Sequence, residues 1–189
     1  MRPRAQTLKA IVSVRRFAVA GAALSFFALA AVAQAQKFSP PNEVVISDRL
    51  ITSGQPSAAA LATLQANGFQ AVINLSPPTV PNAVRDEGAI LEHQGIAYIN
   101  IPIDFDNPTQ ADFETFIGSM AAMGNRKVLV HCQVNMRASA FVFLYRVIVS
   151  KERPEKAYEA VTKVWSPSGR WKQLLLTQLR THGSTFEPY

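Results

Sequence analysis

Short apolar runs and longer amphipathic stretches alternate along most of the chain. Runs typical of buried strands lie at 44–46, 50–52, 71–75, 97–101 and 127–130. Helical spacing of apolar residues predicts helices at about 57–66, 83–94, 109–123, 139–149, 154–164 and 169–179. Strands that alternate with helices predict a single α/β domain, in which helices flank a central, mainly parallel sheet. Ligands of such sheets bind where strand ends lead into helices.

The chain opens with a basic and then strongly apolar segment. Arg15 and Arg16 precede the apolar run 17–33, and residues 33–35 (Ala-Gln-Ala) form a small-x-small cleavage pattern. This order is typical of a secretory signal peptide over residues 1–35, and an uncleaved membrane anchor is the alternative. The run is alanine-rich and shorter than the roughly 20 residues that span a bilayer, which favours cleavage. We therefore expect an exported protein, periplasmic or secreted, without stable membrane insertion after cleavage.

Most of the formal net charge of +6 belongs to this opening segment. Five basic residues and no acidic residue lie in 1–35, which leaves 14 basic against 13 acidic residues in the rest of the chain. The nearly neutral remainder does not favour a nucleic acid as partner. We divide it into a leader (36–43), a domain (44–182) and a C-terminal tail (183–189). The sequence leaves the oligomeric state open.

The chemistry of the sequence is centred on Cys132, the one cysteine of the chain. A lone cysteine excludes an intramolecular disulfide and a zinc site with two cysteine ligands. The sequence carries no other metal-ligand spacing and no dinucleotide-binding fingerprint, so we predict neither a metal nor a cofactor. Cys132 lies between a strand and a helix, where unpaired N–H groups and the helix dipole favour the nucleophilic thiolate.

Arg137 closes the loop that starts at Cys132. Its planar guanidinium can donate to two oxygens of an anion, and the loop N–H groups can surround the same anion. We therefore expect Cys132 to attack a phosphoryl or related group that is bound by Arg137 and by the rest of the loop, namely His131, Gln133, Val134, Asn135 and Met136. The alternative is a buried structural cysteine, which the order strand, cysteine, loop, arginine, helix disfavours.

The stretch from His131 to Ser139 resembles the active-site loop of the protein tyrosine phosphatase superfamily, especially its small bacterial dual-specificity-like branch. The resemblance extends to residues 50–56, 68–75 and 101–104 and covers roughly residues 44–180. It includes the phosphatase-like domain of beta-lactamase-hydrolase-like proteins. The resemblance implies a cysteine-phosphatase fold and a phosphorylated protein or small molecule as substrate. It also implies a phosphocysteine on Cys132, phosphate binding by Arg137 and an upstream aspartate as general acid.

The loop departs from the signature of that family, which is His-Cys, five residues, Arg, and then Ser or Thr. Four residues separate Cys132 from Arg137, and none of them is glycine. Asn135 can take the left-handed conformation in place of a glycine. Ser139 lies where the signature has its hydroxyl residue, so it either hydrogen-bonds the thiolate or caps the helix start. We expect His131 to tune the loop by hydrogen bonding rather than to act as a base.

Asp104 and Asp106 are the candidates for the general acid. They lie in one loop, 28 and 26 residues before Cys132, where a carboxyl group can be held over a leaving oxygen. Asp104 is favoured slightly because it lies closer to the strand, whereas Asp106 precedes Asn107 and is typical of a turn start.

Three functions are compatible with these residues. The first is a phosphatase, which the strand pattern and residues 101–104 (Ile-Pro-Ile-Asp) favour. The second is a rhodanese-like sulfurtransferase, which the four-residue loop suggests. The third is a non-catalytic domain that binds phosphate or another oxyanion, which the missing glycine suggests. Asn82 and Arg85 lie in the loop after the strand at 71–75, where they either border the pocket or, as we favour, are solvated loop residues. Asp86 and Glu87 are interpreted as a charge pair at a helix start.

Overall fold

The computed structural model describes residues 38–189, so the predicted signal peptide and the start of the leader lie outside the described residues. This part of the chain contains five strands: β1 (Val44–Ser47), β2 (Leu50–Ser53), β3 (Ala71–Asn74), β4 (Ala97–Asn100) and β5 (Val128–His131). It also contains six helices: α1 (Ala58–Leu61), α2 (Glu87–Glu92), α3 (Gln110–Met123), α4 (Met136–Ile148), α5 (Pro154–Thr162) and α6 (Gly169–Thr181).

The five strands form one sheet in the order β1-β2-β5-β3-β4. The hairpin β1–β2 is antiparallel, and the other neighbouring strands are parallel. β5 lies between β2 and β3, so that His131 at its end is paired with Ser53 on one side and Asn74 on the other. The predicted α/β domain with a mainly parallel sheet is confirmed. The carboxyl ends of β2, β3 and β5 meet at one edge, where this fold class binds ligands.

Helices cover both faces of the sheet. On one face, Leu61 and Leu91 from α1 and α2 are fully buried in a cluster with Leu129 of β5. On the other face, α3 to α6 pack in a larger cluster that includes Val130 and Cys132. Because successive strand residues point to opposite faces, β5 contributes to both clusters.

Helices α1 and α2 are shorter than the sequence pattern predicts. At the start of α1, the Ser57 side chain accepts a hydrogen bond from the N–H of Ala60 at 3.2 Å, as expected for a cap. After α1, however, the N–H groups of Thr63 and Leu64 bond to carbonyls three residues earlier, which winds the chain into tighter turns. In α2, residues 85 and 86 form a turn, and the helix begins at Glu87.

The C-terminal residues pack on the domain. The Tyr158 hydroxyl donates to the Tyr189 carbonyl oxygen at 2.9 Å, and the Phe186 ring lies 6.0 Å from that of Phe143. The boundary between domain and tail stays a prediction. Within residues 38–189, no helix combines the length and the apolar character that a membrane crossing requires.

Candidate active site

Cys132 lies directly after β5, with its side chain buried on the face that α4 covers. It is a free cysteine, and its N–H donates to the Ser53 carbonyl oxygen of β2 at 3.2 Å. α4 begins four residues later at Met136, and the N–H of Ser139 bonds to the carbonyl of Asn135 at 2.9 Å. The N–H groups of the first helical turn have no acceptor within the helix, so they are suited to hold an anion beside the thiol.

The loop between Cys132 and α4 is held by its carbonyl groups. The Gln133 oxygen accepts from the Gln55 backbone N–H and from the Asn82 side chain, both at 3.2 Å. The Val134 oxygen accepts from the Asn42 side chain at 3.0 Å. Because the C=O and N–H of a trans peptide point in opposite directions, the Val134 N–H points away from Gln55 and Asn82. Val134 also forms an antiparallel bridge with Gly54, so the loop pairs with the end of β2. Asn82 is therefore more than the solvated loop residue that the sequence suggests.

Asn135 provides the bend that precedes α4. Its φ of 74° lies in the left-handed region, as predicted for the position where a glycine is missing. The buried side chain donates to the Asn42 carbonyl at 2.6 Å and to the Thr52 hydroxyl at 3.1 Å. An asparagine therefore supplies both the backbone conformation and two bonds that tie the loop to its neighbours.

Gly54 allows the end of β2 to approach the loop closely. A Cβ atom at this position would lie 3.2 Å from the Gln133 and Pro41 carbonyl oxygens and 3.3 Å from the Val134 Cα. A side chain here would therefore push the loop away from β2.

Arg137 is buried with 5% of its surface exposed, and it forms no ion pair with a carboxylate of residues 38–189. Its Cζ atom lies 5.1 Å from the centroid of the Phe105 ring, which is a cation–π contact. The Nε atom is buried without a hydrogen-bond partner in the described part of the chain. A buried cation without a counter-ion is unfavourable, so this position is suited to an anionic ligand.

An aromatic cluster holds the 104–108 loop beside Arg137. Phe105 lies 5.9 Å from Trp165 and 5.7 Å from Trp171, and the two tryptophan rings lie 6.0 Å apart. The Trp171 indole N–H donates to the Phe105 carbonyl oxygen at 2.8 Å. The two tryptophans thus form a packing pair, and they fix the loop that carries both candidate acids.

The turn in this loop begins at Asp104, not at Asp106 as the sequence suggests. Asp104 Oδ1 accepts from the N–H of Asp106 at 3.0 Å, and its carbonyl accepts from the N–H of Asn107 at 3.3 Å. Both aspartates are exposed. The choice between them as general acid stays a prediction.

Ser139 uses its hydroxyl within α4 and its surroundings. The hydroxyl donates to the Met136 carbonyl oxygen at 3.1 Å and accepts from the Trp165 indole N–H at 3.2 Å. The first bond lies at the helix start, and neither bond involves Cys132. A bond from Ser139 to the thiolate therefore stays a prediction.

His131 takes part in a buried polar network on the opposite face of the sheet. Its Nε2 lies 2.6 Å from Glu87 Oε1. The other carboxylate oxygen accepts from the Gln55 side chain at 2.9 Å and from the Asn74 side chain at 3.4 Å. The four side chains are buried, and they join the ends of β2, β3 and β5 to α2. The expected hydrogen-bonding role of His131 thus has a partner that the sequence did not indicate.

Asp86 and Glu87 lie at the start of α2, as the sequence predicts, but the side chain of Glu87 is buried, which the sequence analysis did not predict. Glu87 lies four residues before the fully buried Leu91, on the inward face of α2. That spacing is the signal that could have identified it.

Tyr98 lies beside this network, and the network affects the pKa of its hydroxyl. Burial raises the pKa of the Tyr98 hydroxyl, and the negative charge of Glu87 raises it further, while the hydrogen bond from Asn74 partly offsets both effects. The Asn74 side chain reaches the Tyr98 oxygen at 3.3 Å. Across residues 38–189, no cluster of three or more His, Cys, Asp or Glu side chains is placed to hold a metal ion.

Comparisons with known proteins place this site in a family context. Residues 22–177 match the family model described as DSP-PTPase phosphatase fused to NAD+ kinase. A beta-lactamase hydrolase-like protein of Xylella fastidiosa is 32% identical over 109 residues, which are 56% of this chain and 25% of that protein. The chain thus spans about a quarter of the length of the curated relatives that it matches.

Solved structures show the same fold. A DUF442 phosphatase from Shewanella putrefaciens CN-32 is 30% identical with a TM-score of 0.71, and the match covers 77% of this chain and 95% of that one. TpbA from Pseudomonas aeruginosa, solved in complex with phosphotyrosine, is 22% identical with a TM-score of 0.57, over 82% of this chain and 93% of that one.

Proposed function

Because the chain belongs to the family described as DSP-PTPase phosphatase fused to NAD+ kinase, we propose that it is an exported, cysteine-dependent phosphatase. It hydrolyses a phosphate monoester through a phosphocysteine intermediate. The family match and the DUF442 structure confirm the resemblance to small dual-specificity-like phosphatases. The observation that carries the proposal is the pairing of a free cysteine with a buried, unpaired arginine at the two ends of one loop.

The first step is attack of the Cys132 thiolate on the phosphorus atom. The phosphoryl oxygens lie among the loop N–H groups and the guanidinium of Arg137, which stabilise the charge of the transition state. The S–P bond forms while the bond between phosphorus and the leaving oxygen breaks. Asp104 or Asp106 gives its proton to that oxygen, so that the leaving group departs as a neutral alcohol or phenol.

The second step releases phosphate. A water molecule attacks the phosphocysteine, and the same aspartate, now a carboxylate, takes its proton. The S–P bond breaks, inorganic phosphate leaves, and the thiolate of Cys132 is restored. We assign the Ser139 hydroxyl, which donates to the Met136 carbonyl oxygen in the first turns of α4, to turning its proton toward the departing thiolate.

Two assays and one variant test the proposed reaction. The purified protein is given p-nitrophenyl phosphate and, separately, thiosulfate with cyanide, and Cys132→Ser is the control. We expect hydrolysis of the aryl phosphate, no thiocyanate and no activity in the variant. Thiocyanate formation that depends on Cys132 would favour the rhodanese-like function. Phosphate binding without either activity would favour the non-catalytic domain.

The substrate class is tested with three phosphate monoesters: a phosphotyrosine peptide, a phosphoserine peptide and NADP+. The phosphotyrosine complex of TpbA motivates the first, and the kinase in the family description motivates the last. A kcat/KM for one of them that exceeds the others by two orders of magnitude would identify the class. Equal values would indicate a small-molecule phosphatase of broad specificity.

Export is supported by the signal-like sequence of residues 1–35. The test is osmotic-shock fractionation of bacteria that express the full chain, followed by mass spectrometry of the purified protein. We expect the protein in the periplasmic or secreted fraction with Gln36 as its first residue. An intact N-terminus in the membrane fraction would support the anchor instead.

A further inference from the structure

Glu87 is a buried carboxylate to which the proposed mechanism gives no role. Only 3% of its surface is exposed, although its neighbour Asp86 is exposed to solvent. Burial of a carboxylate is costly unless hydrogen bonds compensate it. Here the compensation comes from three side chains at the ends of three strands: His131, Gln55 and Asn74.

Two of these contacts lead directly to the Cys132 loop. His131 precedes Cys132 in the chain, so the bond from Glu87 to the His131 ring holds the residue from which the loop departs. Gln55 donates its side chain to Glu87 and its backbone N–H to the Gln133 carbonyl oxygen. Glu87 is therefore connected to the loop at its start and, through Gln55, at its second residue.

We propose that Glu87 is a positioning residue for the Cys132 loop, acting through His131 and Gln55 to hold the arrangement that favours the thiolate. This inference rests on the proposed function, and it assigns Glu87 no contact with the substrate.

The carboxylate of Glu87 indicates how a variant at this position should change the reactivity of Cys132. The carboxylate oxygen can only accept, so His131 Nε2 is the donor of this 2.6 Å bond. An amide in place of the carboxylate weakens the bond, so the loop N–H groups that favour the thiolate are held less firmly.

Among the side chains around His131, Glu87 is the carboxylate that contacts its ring. Its strand neighbours, Ser53 and Asn74, do not ionise, and Tyr98 from β4 is reached through Asn74. On the opposite face of the sheet, α4 contributes Arg137.

The test compares two glutamates that both accept buried or half-buried hydrogen bonds. Glu87→Gln keeps the shape of the side chain but removes its charge. Glu152→Gln is the matched control, because Glu152 pairs with Arg146 at 2.8 Å and has no contact with the Cys132 loop. The full chain is used, and iodoacetamide alkylation of Cys132 is followed by mass spectrometry from about pH 5 to about pH 9.

We expect the alkylation midpoint of Glu87→Gln to move to higher pH by about one unit, which makes alkylation below the midpoint about tenfold slower. Glu152→Gln should coincide with the wild type even where its thermal stability is lower. A Glu87→Gln midpoint equal to that of the wild type, or at lower pH, would overturn the proposal, since loss of stability alone does not move this midpoint.

Two further variants keep the test decisive. If Glu87→Gln does not fold, Glu87→Asp replaces it; this variant withdraws the charge by one methylene and should shift the midpoint upward by less. In the background of His131→Asn, Glu87→Gln should add a smaller shift, because the route through Gln55 alone remains. A full additional shift would contradict the assigned route.

The outcome is separable from that of the proposed function. Alkylation requires no turnover, so it reports on the thiolate even if the protein hydrolyses nothing. Wild-type protein that fails on every phosphate monoester would refute the phosphatase proposal, while the comparison of Glu87→Gln with Glu152→Gln would still decide the role of Glu87.

Discussion

The two faces of the sheet meet at the Cys132 loop and hold it by different forces. On the face covered by α1 and α2, a buried network of Glu87, His131 and Gln55 holds the loop by hydrogen bonds. On the face covered by α3 to α6, the Phe105 ring packs on the Arg137 guanidinium, with two tryptophans behind it.

This difference separates positioning from binding. Hydrogen bonds are directional, so the polar face fixes the backbone of the loop. An aromatic face holds a cation without neutralising it, which leaves Arg137 available to a ligand. A carboxylate beside Arg137 would compete with phosphate, and the buried carboxylate Glu87 lies across the sheet.

The largest effect is expected from replacement of Arg137, the cation that packs on the aromatic face. Arg137→Lys keeps a positive charge but loses the planar fork, so kcat/KM for p-nitrophenyl phosphate should fall about 10²- to 10³-fold. The control is Arg146→Lys on the same helix, where the arginine pairs with Glu152 instead. Activity of Arg137→Lys within a factor of three of that control would show that Arg137 does not bind the phosphoryl group.

The next largest effect is expected from the two candidate acids in the 104–108 loop, where Phe105 packs on Arg137. Asp104→Asn keeps an oxygen that can accept from the N–H of residue 106, so the turn should survive, and Asp106→Asn leaves that acceptor untouched. One of the two should lower kcat for phenyl phosphate, a poor leaving group, about 10²-fold while affecting a good leaving group less. The account of the acid is wrong if both variants turn over phenyl phosphate at the wild-type rate.

Much of the fold could be predicted because the information is local. Each strand is a short apolar run, and the stretch from Cys132 to Ser139 carries its own strand end, bend and helix start. The left-handed conformation at Asn135 follows from the residue type and from the missing glycine. The length of α1 was not predictable in the same way, because turns that continue the burial of Leu64 replace helix there.

The two supports of the loop were not predictable, because each joins distant parts of the sequence. Glu87 lies 44 residues before His131, and its role becomes visible once α2 is placed over the ends of β3 and β5. Phe105 likewise contacts the Arg137 guanidinium because the loop after β4 brings its ring there. Periodicity indicates that a residue faces inward, but it does not indicate which partner it meets.

A smaller effect is expected when the aromatic contact itself is removed. Phe105→Leu should lower the free energy of unfolding by about 1–2 kcal/mol, since Phe105 is half-buried, and should raise KM for p-nitrophenyl phosphate several-fold. The matched control is Phe69→Leu, since Phe69 packs under Lys127 at 4.6 Å, away from the site. If both variants lose comparable stability and KM rises in Phe105→Leu alone, the Phe105 contact supports phosphate binding. If KM is unchanged in both variants, it does not.

The smallest expected effect is on the polar face and concerns pH. The pKa of Tyr98 is raised by burial and by Glu87, so the folded state holds the phenolic proton more tightly than the unfolded state does. This contribution to stability is complete below the ordinary tyrosine pKa and is lost as pH rises through the folded value. Tyr98→Phe should therefore lose less stability than the wild type between about pH 8 and about pH 10.5 in urea unfolding.

Tyr158, whose pKa is also raised by burial, contributes to the same decline in both proteins. The comparison between wild type and Tyr98→Phe therefore isolates Tyr98. Parallel decline of the two proteins would show that the fold does not raise the pKa of Tyr98.

The central claim is that Cys132 carries the phosphoryl group during turnover. The most direct measurement is rapid acid quenching of the reaction with a ³²P-labelled aryl phosphate, followed by digestion and identification of the labelled peptide. The account predicts label on the peptide that contains Cys132 and none in Cys132→Ser. Label on another residue, or phosphate release by Cys132→Ser at the wild-type rate, would contradict it.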